Sequence, residues 1–285
     1  MHNVGVSASI YHQLFNFFSI QSCEKMMNKN FKDVLIASDW DNTLFCNNTV
    51  SEENKSAIKR FIDGGGFFAV ASGRSYDFLT EIPIETNTYN ICINGAYIAN
   101  TKTGEVLFSN PCDENVFYIV KEILEDNDEF ESATLVLASE ENRYSEIQSY
   151  QIQDFLEKFD SLKEKKVAKI VLRAKDIPSA KVALAKIKDR DFGDYVVERS
   201  WATGFEFLHK NNRKGIAIKR LADAIGAKKI IAVGDYENDL SMIKAADIGY
   251  AVANATESLL AAADRITVPC TESAIAKIIL DLETE

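Results

Sequence analysis

Val34 to Ser38 (VLIAS) is a short unbroken apolar run that ends in an acidic loop. A run without alternation reads as a strand buried on both faces, as in parallel sheets. A helix is predicted from about Ser51 to Asp63. Glu52 and Glu53 sit in its first turn, Ala57, Ile58, Phe61 and Ile62 share one face, and Gly64-Gly65-Gly66 stops it. Phe67 to Ala71 (FFAVA) predicts a second strand, Ser75 to Thr80 the start of a short helix, and Tyr89 to Ile93 (YNICI) a third strand. Strand and helix alternate, so right-handed parallel crossovers are expected.

From Ala96 the pattern changes. YIANTKTGEVLF carries a turn signal at Thr103-Gly104 between two strand-like halves, which predicts a hairpin. Beyond it the periodicity predicts helices near Asp113 to Asp126, Glu146 to Phe159 and Ile177 to Lys188, with strands near Ala133 to Ala138, Val167 to Leu172, Tyr195 to Glu198 and Phe205 to Leu208. At Lys214 the helix-strand alternation returns. Ile218, Leu221, Ala222 and Ile225 form one helical face closed by Gly226, and Lys229 to Val233 (KIIAV) is another buried strand, followed by helix, strand and helix. The chain is thus predicted as α/β, with a parallel-sheet core from residues 31–97 and 209–285 and an α+β domain, 98–208, inserted into it. Ligands in such folds bind outside the carboxyl ends of parallel strands, so the loops after VLIAS, FFAVA, YNICI and KIIAV are where chemistry is expected.

A length of 285 residues fits about two domains. The 46% hydrophobic and 26% charged content is ordinary for a globular chain. With 32 basic and 43 acidic residues the net charge is -11, which argues against a general electrostatic grip on nucleic acid or an anionic membrane. An anionic ligand must then be held by a local site. The five cysteines (Cys23, Cys46, Cys92, Cys112, Cys270) are scattered and never in a C-x-x-C pair, so neither a disulfide framework nor a zinc site is expected, and a reducing, cytoplasmic setting fits. No apolar run reaches 18 residues. Ile10 to Ile20 is interrupted by His12, Gln13 and Asn16 and lacks a preceding basic stretch. Residues 1–30 are therefore expected to be a dispensable extension, with Met26 and Met27 just ahead of the first element.

The strand-end loops carry the candidate chemistry. After VLIAS comes Asp39-Trp40-Asp41-Asn42-Thr43-Leu44. Two carboxylates at i and i+2 can point the same way, which is costly unless a cation separates them or one is protonated; a lone D-x-D is otherwise read as an Asx turn. After FFAVA comes Ser72-Gly73-Arg74, where a hydroxyl and a glycine amide suit phosphate oxygens or a helix N-cap. After KIIAV comes Gly234-Asp235-Tyr236-Glu237-Asn238-Asp239, an acidic turn or simply an acidic helix start. Lys214 adds a cation where the chain re-enters the core. Each signal is weak alone; three loops at three core strand ends supplying two acidic clusters and one phosphate cradle are not.

In this order, D-W-D-N-T-L, A-S-G-R, a lysine and G-D-x-x-N-D resemble the haloacid dehalogenase superfamily of aspartyl phosphohydrolases. The long insert and the Asn94-Gly95-Ala96 loop resemble its Cof-like subfamily, over about residues 33–282. The usual D-x-D-G-T has Asn42 in place of glycine, and asparagine tolerates the left-handed backbone that glycine would adopt there. The resemblance implies a Rossmann-like core with an inserted α/β cap, and a Mg²⁺-dependent phosphatase acting on small phosphorylated metabolites through an aspartyl-phosphate. Asp39 is then the nucleophile and Asp41 the acid and base. Thr43, Ser72, Gly73, Lys214 and Asn238 bind phosphate, while Asp39, the Asp41 carbonyl, Asp235 and Asp239 serve the metal, which requires the 39 and 235 side chains to meet.

Asn94 is the candidate for contact beyond the phosphate, with Arg143, Tyr144, Arg173 and Arg199 as weaker candidates from the cap. A phosphomutase of similar cap type and a catalytically silent phosphometabolite-binding regulator are the alternatives. Nucleic-acid and membrane partners are not expected. The natural substrate and the oligomeric state are left open.

Overall fold

The computed structural model describes residues 30–138, 144 and 146–284. The expected extension, apart from Asn30, and Arg143 lie outside the described residues. The first half of the core comprises β1 (Val34–Ser38), α1 (Glu52–Asp63), β2 (Phe67–Val70), α2 (Tyr76–Thr80), β3 (Asn90–Cys92), β4 (Tyr97–Ala99) and β5 (Val106–Ser109). Next come α3 (Asn115–Glu125), β6 (Phe130–Leu137), β7 (Glu146–Gln151), α4 (Ile152–Glu157), α5 (Phe159–Leu162), β8 (Val167–Ala174), α6 (Ile177–Ile187), β9 (Tyr195–Glu198) and β10 (Gly204–His209). The chain closes with α7 (Lys214–Ile225), β11 (Lys229–Gly234), α8 (Leu240–Ala245), β12 (Ile248–Ala251), α9 (Glu257–Ala262), β13 (Arg265–Ile266) and α10 (Ala274–Thr284).

The core sheet runs β13-β12-β11-β1-β2, all parallel. β1 lies between β11 and β2, with Ser38 level with Val233 on one side and Val70 on the other, so three of the loops singled out above emerge side by side. The capping of α1 follows its sequence. Ser51 accepts a hydrogen bond from the Asn54 amide at 3.1 Å, Glu52 and Glu53 face the positive end of the helix, and Ala57, Ile58 and Phe61 are buried. At the far end of α1, Gly64 donates its amide to the Arg60 carbonyl.

The antiparallel sheet β7-β6-β8-β10-β9 carries its own apolar interior on the side of α3 and α6. The hairpin β4-β5, by contrast, packs Ile98, Leu107 and Phe108 against the core, so the hydrophobic interior changes over near Cys112, later in the chain than residue 98.

Three expectations are corrected. Residues 146–151 form an edge strand paired antiparallel with β6, and the helix starts only at Ile152. EIQSYQ sets its two apolar residues, Ile147 and Tyr150, three apart as a helix would, and the hydrogen-bonding edge of β6 overrides that local signal. The third apolar run is not a full member of the core sheet: β3 joins β2 by one bridge, Ala71 to Ile91, and pairs antiparallel with β4.

The third correction concerns cysteine. Cys46 and Cys270, separated by 224 residues, form a disulfide. Their loops lie together because Asn254 donates to the Asn42 carbonyl (2.9 Å) and accepts from the Cys270 amide (2.8 Å), while the Ser51 and Ser273 hydroxyls meet at 2.8 Å. Counting cysteines along the chain cannot find a pair that only folding brings together, and the cysteine argument for a reducing compartment falls with it. Closing so long a loop predicts that Cys46→Ser loses about 2–4 kcal/mol of unfolding free energy in oxidising buffer. The difference should vanish in dithiothreitol, as urea denaturation will report.

Candidate active site

β1 ends directly in Asp39, and the hydrogen bond from the Asp39 amide to the Val233 carbonyl (2.9 Å) continues the sheet one residue further. Asn42 takes the left-handed backbone anticipated for it, with φ 56°, and turns the chain so that its amide reaches the Phe45 carbonyl at 2.9 Å. On the neighbouring strand, β11 delivers Asp235 and the turn containing Asn238 and Asp239. Gly234 is needed there for a close approach. A Cβ at this position would lie 2.5 Å from the Asp239 carboxylate, which tucks beneath the turn to accept the amides of Asp235 (3.0 Å) and Tyr236 (3.2 Å).

Carboxylate oxygens of Asp39, Asp235 and Asp239 lie within 4.8 Å of one another, all buried. Lys214, the first residue of α7 and wholly buried, donates to both Asp39 Oδ1 and Asp239 Oδ1 at 2.6 Å. Burial alone would push its ammonium down; the Asp239 and Asp39 charges outweigh that and hold it above the usual lysine range. Burial first, then the Asp239 charge, pushes Asp39 up to about 7, against the pull of Lys214. Burial, then Asp39 and Asp239, pushes Asp235 up to about 8.

Three carboxylates against one ammonium leave two negative charges uncompensated. A hard divalent cation with oxygen preference fits that set. Asp239 has both oxygens engaged, so Asp39 Oδ2 and the Asp235 carboxylate are the side-chain donors without a strong partner among the described residues.

Above these acids lies a cavity of about 610 Å³ between the core loops and the inserted sheet. Asp39, Asp41, Ser72, Gly73, Asp235 and Asn238 line it. Thr43, Lys214 and Asp239 do not: the Thr43 hydroxyl donates to Asp235 at 3.4 Å, and Lys214 lies beneath Asp39. Arg74 grips the Asp41 carboxylate with two nitrogens, at 2.8 and 2.9 Å, and stacks on Phe78.

Asn94, at φ 55° beside Ile93 at φ 52°, is held in a strained loop whose Asn94 amide bonds the Ser72 carbonyl at 2.9 Å. Its side chain is buried, accepting from Asn238 at 3.3 Å and donating to Glu206 of the inserted sheet. Of the arginines considered, Arg199 reaches Glu237 across the junction at 3.8 Å and Arg173 pairs with Glu131 at 2.9 Å; Tyr144 is buried in the core. Lys169 and Glu206 also line the cavity, and neither is among the residues expected there from the sequence. Their one signal was a charged residue in each of two strands with buried apolar neighbours on either side.

The haloacid dehalogenase-like hydrolase family profile matches residues 36–279. The 5-amino-6-(5-phospho-D-ribitylamino)uracil phosphatase YitU of Bacillus subtilis is 24% identical over 273 residues, covering 87% of this chain and 97% of that one. Among solved structures, a haloacid dehalogenase-like hydrolase from B. subtilis superposes with a TM-score of 0.72 at 23% identity, covering 87% of this chain and 99% of the other. The subclass IIB sugar phosphatase BT4131 does so with a TM-score of 0.70 at 21% identity, covering 87% and 98%. Among the described residues no helix is long and apolar enough to cross a membrane. With a parallel core, an inserted sheet and acids gathered at adjacent strand ends, the chain belongs to the haloacid dehalogenase-like hydrolases, in their Cof-like branch, and is a phosphoric monoester hydrolase.

Proposed function

We propose that the protein is a Mg²⁺-dependent phosphatase that cleaves small phosphorylated metabolites, such as sugar or polyol phosphates, through an aspartyl-phosphate. The observation that carries this reading is the buried cluster of Asp39, Asp235, Asp239 and Lys214 on the floor of the cavity.

In this reading Lys214 holds Asp39 through Oδ1 and fixes the carboxylate that attacks phosphorus. Asp41 gives its proton to the departing ester oxygen, then takes one from the water that attacks the acyl phosphate, releasing phosphate and restoring Asp39. Arg74 holds both Asp41 oxygens, so Asp41 takes up the proton for the first step only once that pair opens. Ser72, the Gly73 amide and Asn238 bind the phosphate oxygens, and Lys214 supplies fixed positive charge beside the nucleophile. Thr43 and Asp239 position Asp235 and Lys214 respectively. Asp39, the Asp41 carbonyl and Asp235 would hold Mg²⁺, which when bound neutralises the repulsion between carboxylate and phosphate. Residues from about Cys112 to Phe207 act as the cap that closes over the ester and keeps water out of the first step. A cytoplasmic setting, where charged metabolites are retained, accords with this substrate class.

The test is phosphate release across a panel of phosphomonoesters with and without Mg²⁺, using Asp39→Asn as the blank. EDTA should abolish release and Mg²⁺ restore it. Because the ligands must be deprotonated, Mg²⁺ affinity should fall as pH drops through about 8 and then about 7, the values to which Asp235 and Asp39 are raised. Calorimetric titration with Mg²⁺ alone at pH 9 and pH 6 reads this without turnover, and equal affinity at both would count against these ligands.

A further inference from the structure

The inserted sheet is built on strict alternation. In β6, β8 and β10, Leu135, Ile170, Leu172, Phe205 and Phe207 pack into its apolar interior, while Thr134, Val136, Lys169, Val171 and Glu206 line the cavity. On a wall that also carries Val136, Val171, Ile147 and Trp201 together with Thr134 and Ser200, Lys169 Nζ lies 2.6 Å from Glu206 Oε1, with side chains only 5% and 2% exposed. Stability alone does not explain such a pair, because apolar residues of similar volume commonly serve a fold as well or better.

The pair's remaining contacts lead to the phosphate loop. Lys169 donates to the Gly73 carbonyl at 3.1 Å, and Glu206 Oε2 accepts from Asn94, which in turn accepts from Asn238. A Cβ at residue 73 would come within 3.1 Å of the Asn94 side chain and 3.5 Å of Lys169 Nζ, so glycine lets these groups approach. An ammonium has three donors and a carboxylate about four acceptor positions. Lys169 and Glu206 each use two among the described residues, which leaves one donor and two acceptors beside the cavity. A hydroxyl group both donates and accepts, and so satisfies them. The apolar wall beside them suits the C–H face of the same molecule, and the cavity continues past Thr134, Val171 and Trp201 into a second hollow of about 570 Å³.

We propose that Lys169 and Glu206 are specificity-determining residues that read a hydroxyl of the leaving group close to the ester, selecting sugar and polyol monophosphates over esters without hydroxyls. This rests on the phosphatase reading above. The test compares kcat/KM for hexose and pentitol monophosphates with that for phenyl phosphate in the wild type, Glu206→Gln, Lys169→Met and the double variant Lys169→Met/Glu206→Leu. The wild type should favour its best hydroxylated ester, and Glu206→Gln should reduce that preference by about 10- to 100-fold. Lys169→Arg should recover part of what Lys169→Met loses. The double variant, with the ion pair replaced by apolar volume, should be folded by its melting transition and show little discrimination. A preference ratio that stays at the wild-type value in the folded double variant overturns the assignment and leaves the phosphatase reading intact. A wild type that releases phosphate from no ester with Mg²⁺ overturns both.

Discussion

Asp39→Asn is expected to release phosphate at least about 10⁴-fold more slowly than the wild type at saturating substrate, because an amide has no anionic oxygen to form the bond to phosphorus. Asp41→Asn should be slower by about 10²- to 10⁴-fold, the range for removing a general acid and base, while still binding substrate. Steady-state assays with calorimetric binding of a substrate to the slow variants check both. Activity of Asp39→Asn within tenfold of wild type would sink the nucleophile assignment.

The first variant should keep its fold, since the side-chain oxygen of asparagine can still accept from Lys214. Its stability should even exceed the wild type's in alkaline buffer. The Asp39 carboxyl is raised from 3.8 to about 7, so the stability it contributes is complete below about pH 3.8 and is lost as pH climbs through 7. An amide, neutral throughout, does not lose it.

Lys214→Met should be the most damaging substitution for the fold, costing about 3–5 kcal/mol, the usual effect of breaking a buried ion pair from one side. It leaves the carboxylates of Asp39, Asp235 and Asp239 within 4.8 Å of one another with no ammonium between them. Protons can partly replace the missing cation. With Asp235 raised to about 8 and Asp39 to about 7 even beside Lys214, the loss should be greatest near pH 9 and shrink towards pH 6. Urea denaturation of both proteins at the two pH values tests this, and a loss independent of pH would mean that packing and not charge explains the position.

Both predictions concern residues legible in the chain. Asp39, Ser72 and Asp235 stand directly after apolar runs, and a buried parallel strand leaves its following loop at the ligand-binding end of the sheet. The register that sets Ser38 beside Val233 then brings the first and last of these acids together. Residues 146–151 were not legible as a strand, because Ile147 and Tyr150 stand at helical spacing and only the edge of β6 draws the segment into a sheet. Nor was the Cys46–Cys270 pair, which depends on Asn254 drawing two remote loops together.

The amino-acid order alone determined the alternation of core strands and helices, the excursion into a second sheet and the acids at the strand ends, since each depends on neighbours a few residues away and on burial of a continuous apolar run. Folding in three dimensions decided what those acids meet. Lys214 slides beneath Asp39, Thr43 turns to Asp235, and Lys169 and Glu206 arrive over Gly73 from strands of the inserted sheet. These contacts join groups 37 to 192 residues apart, and at such separations proximity comes from packing and register, which local spacing does not encode.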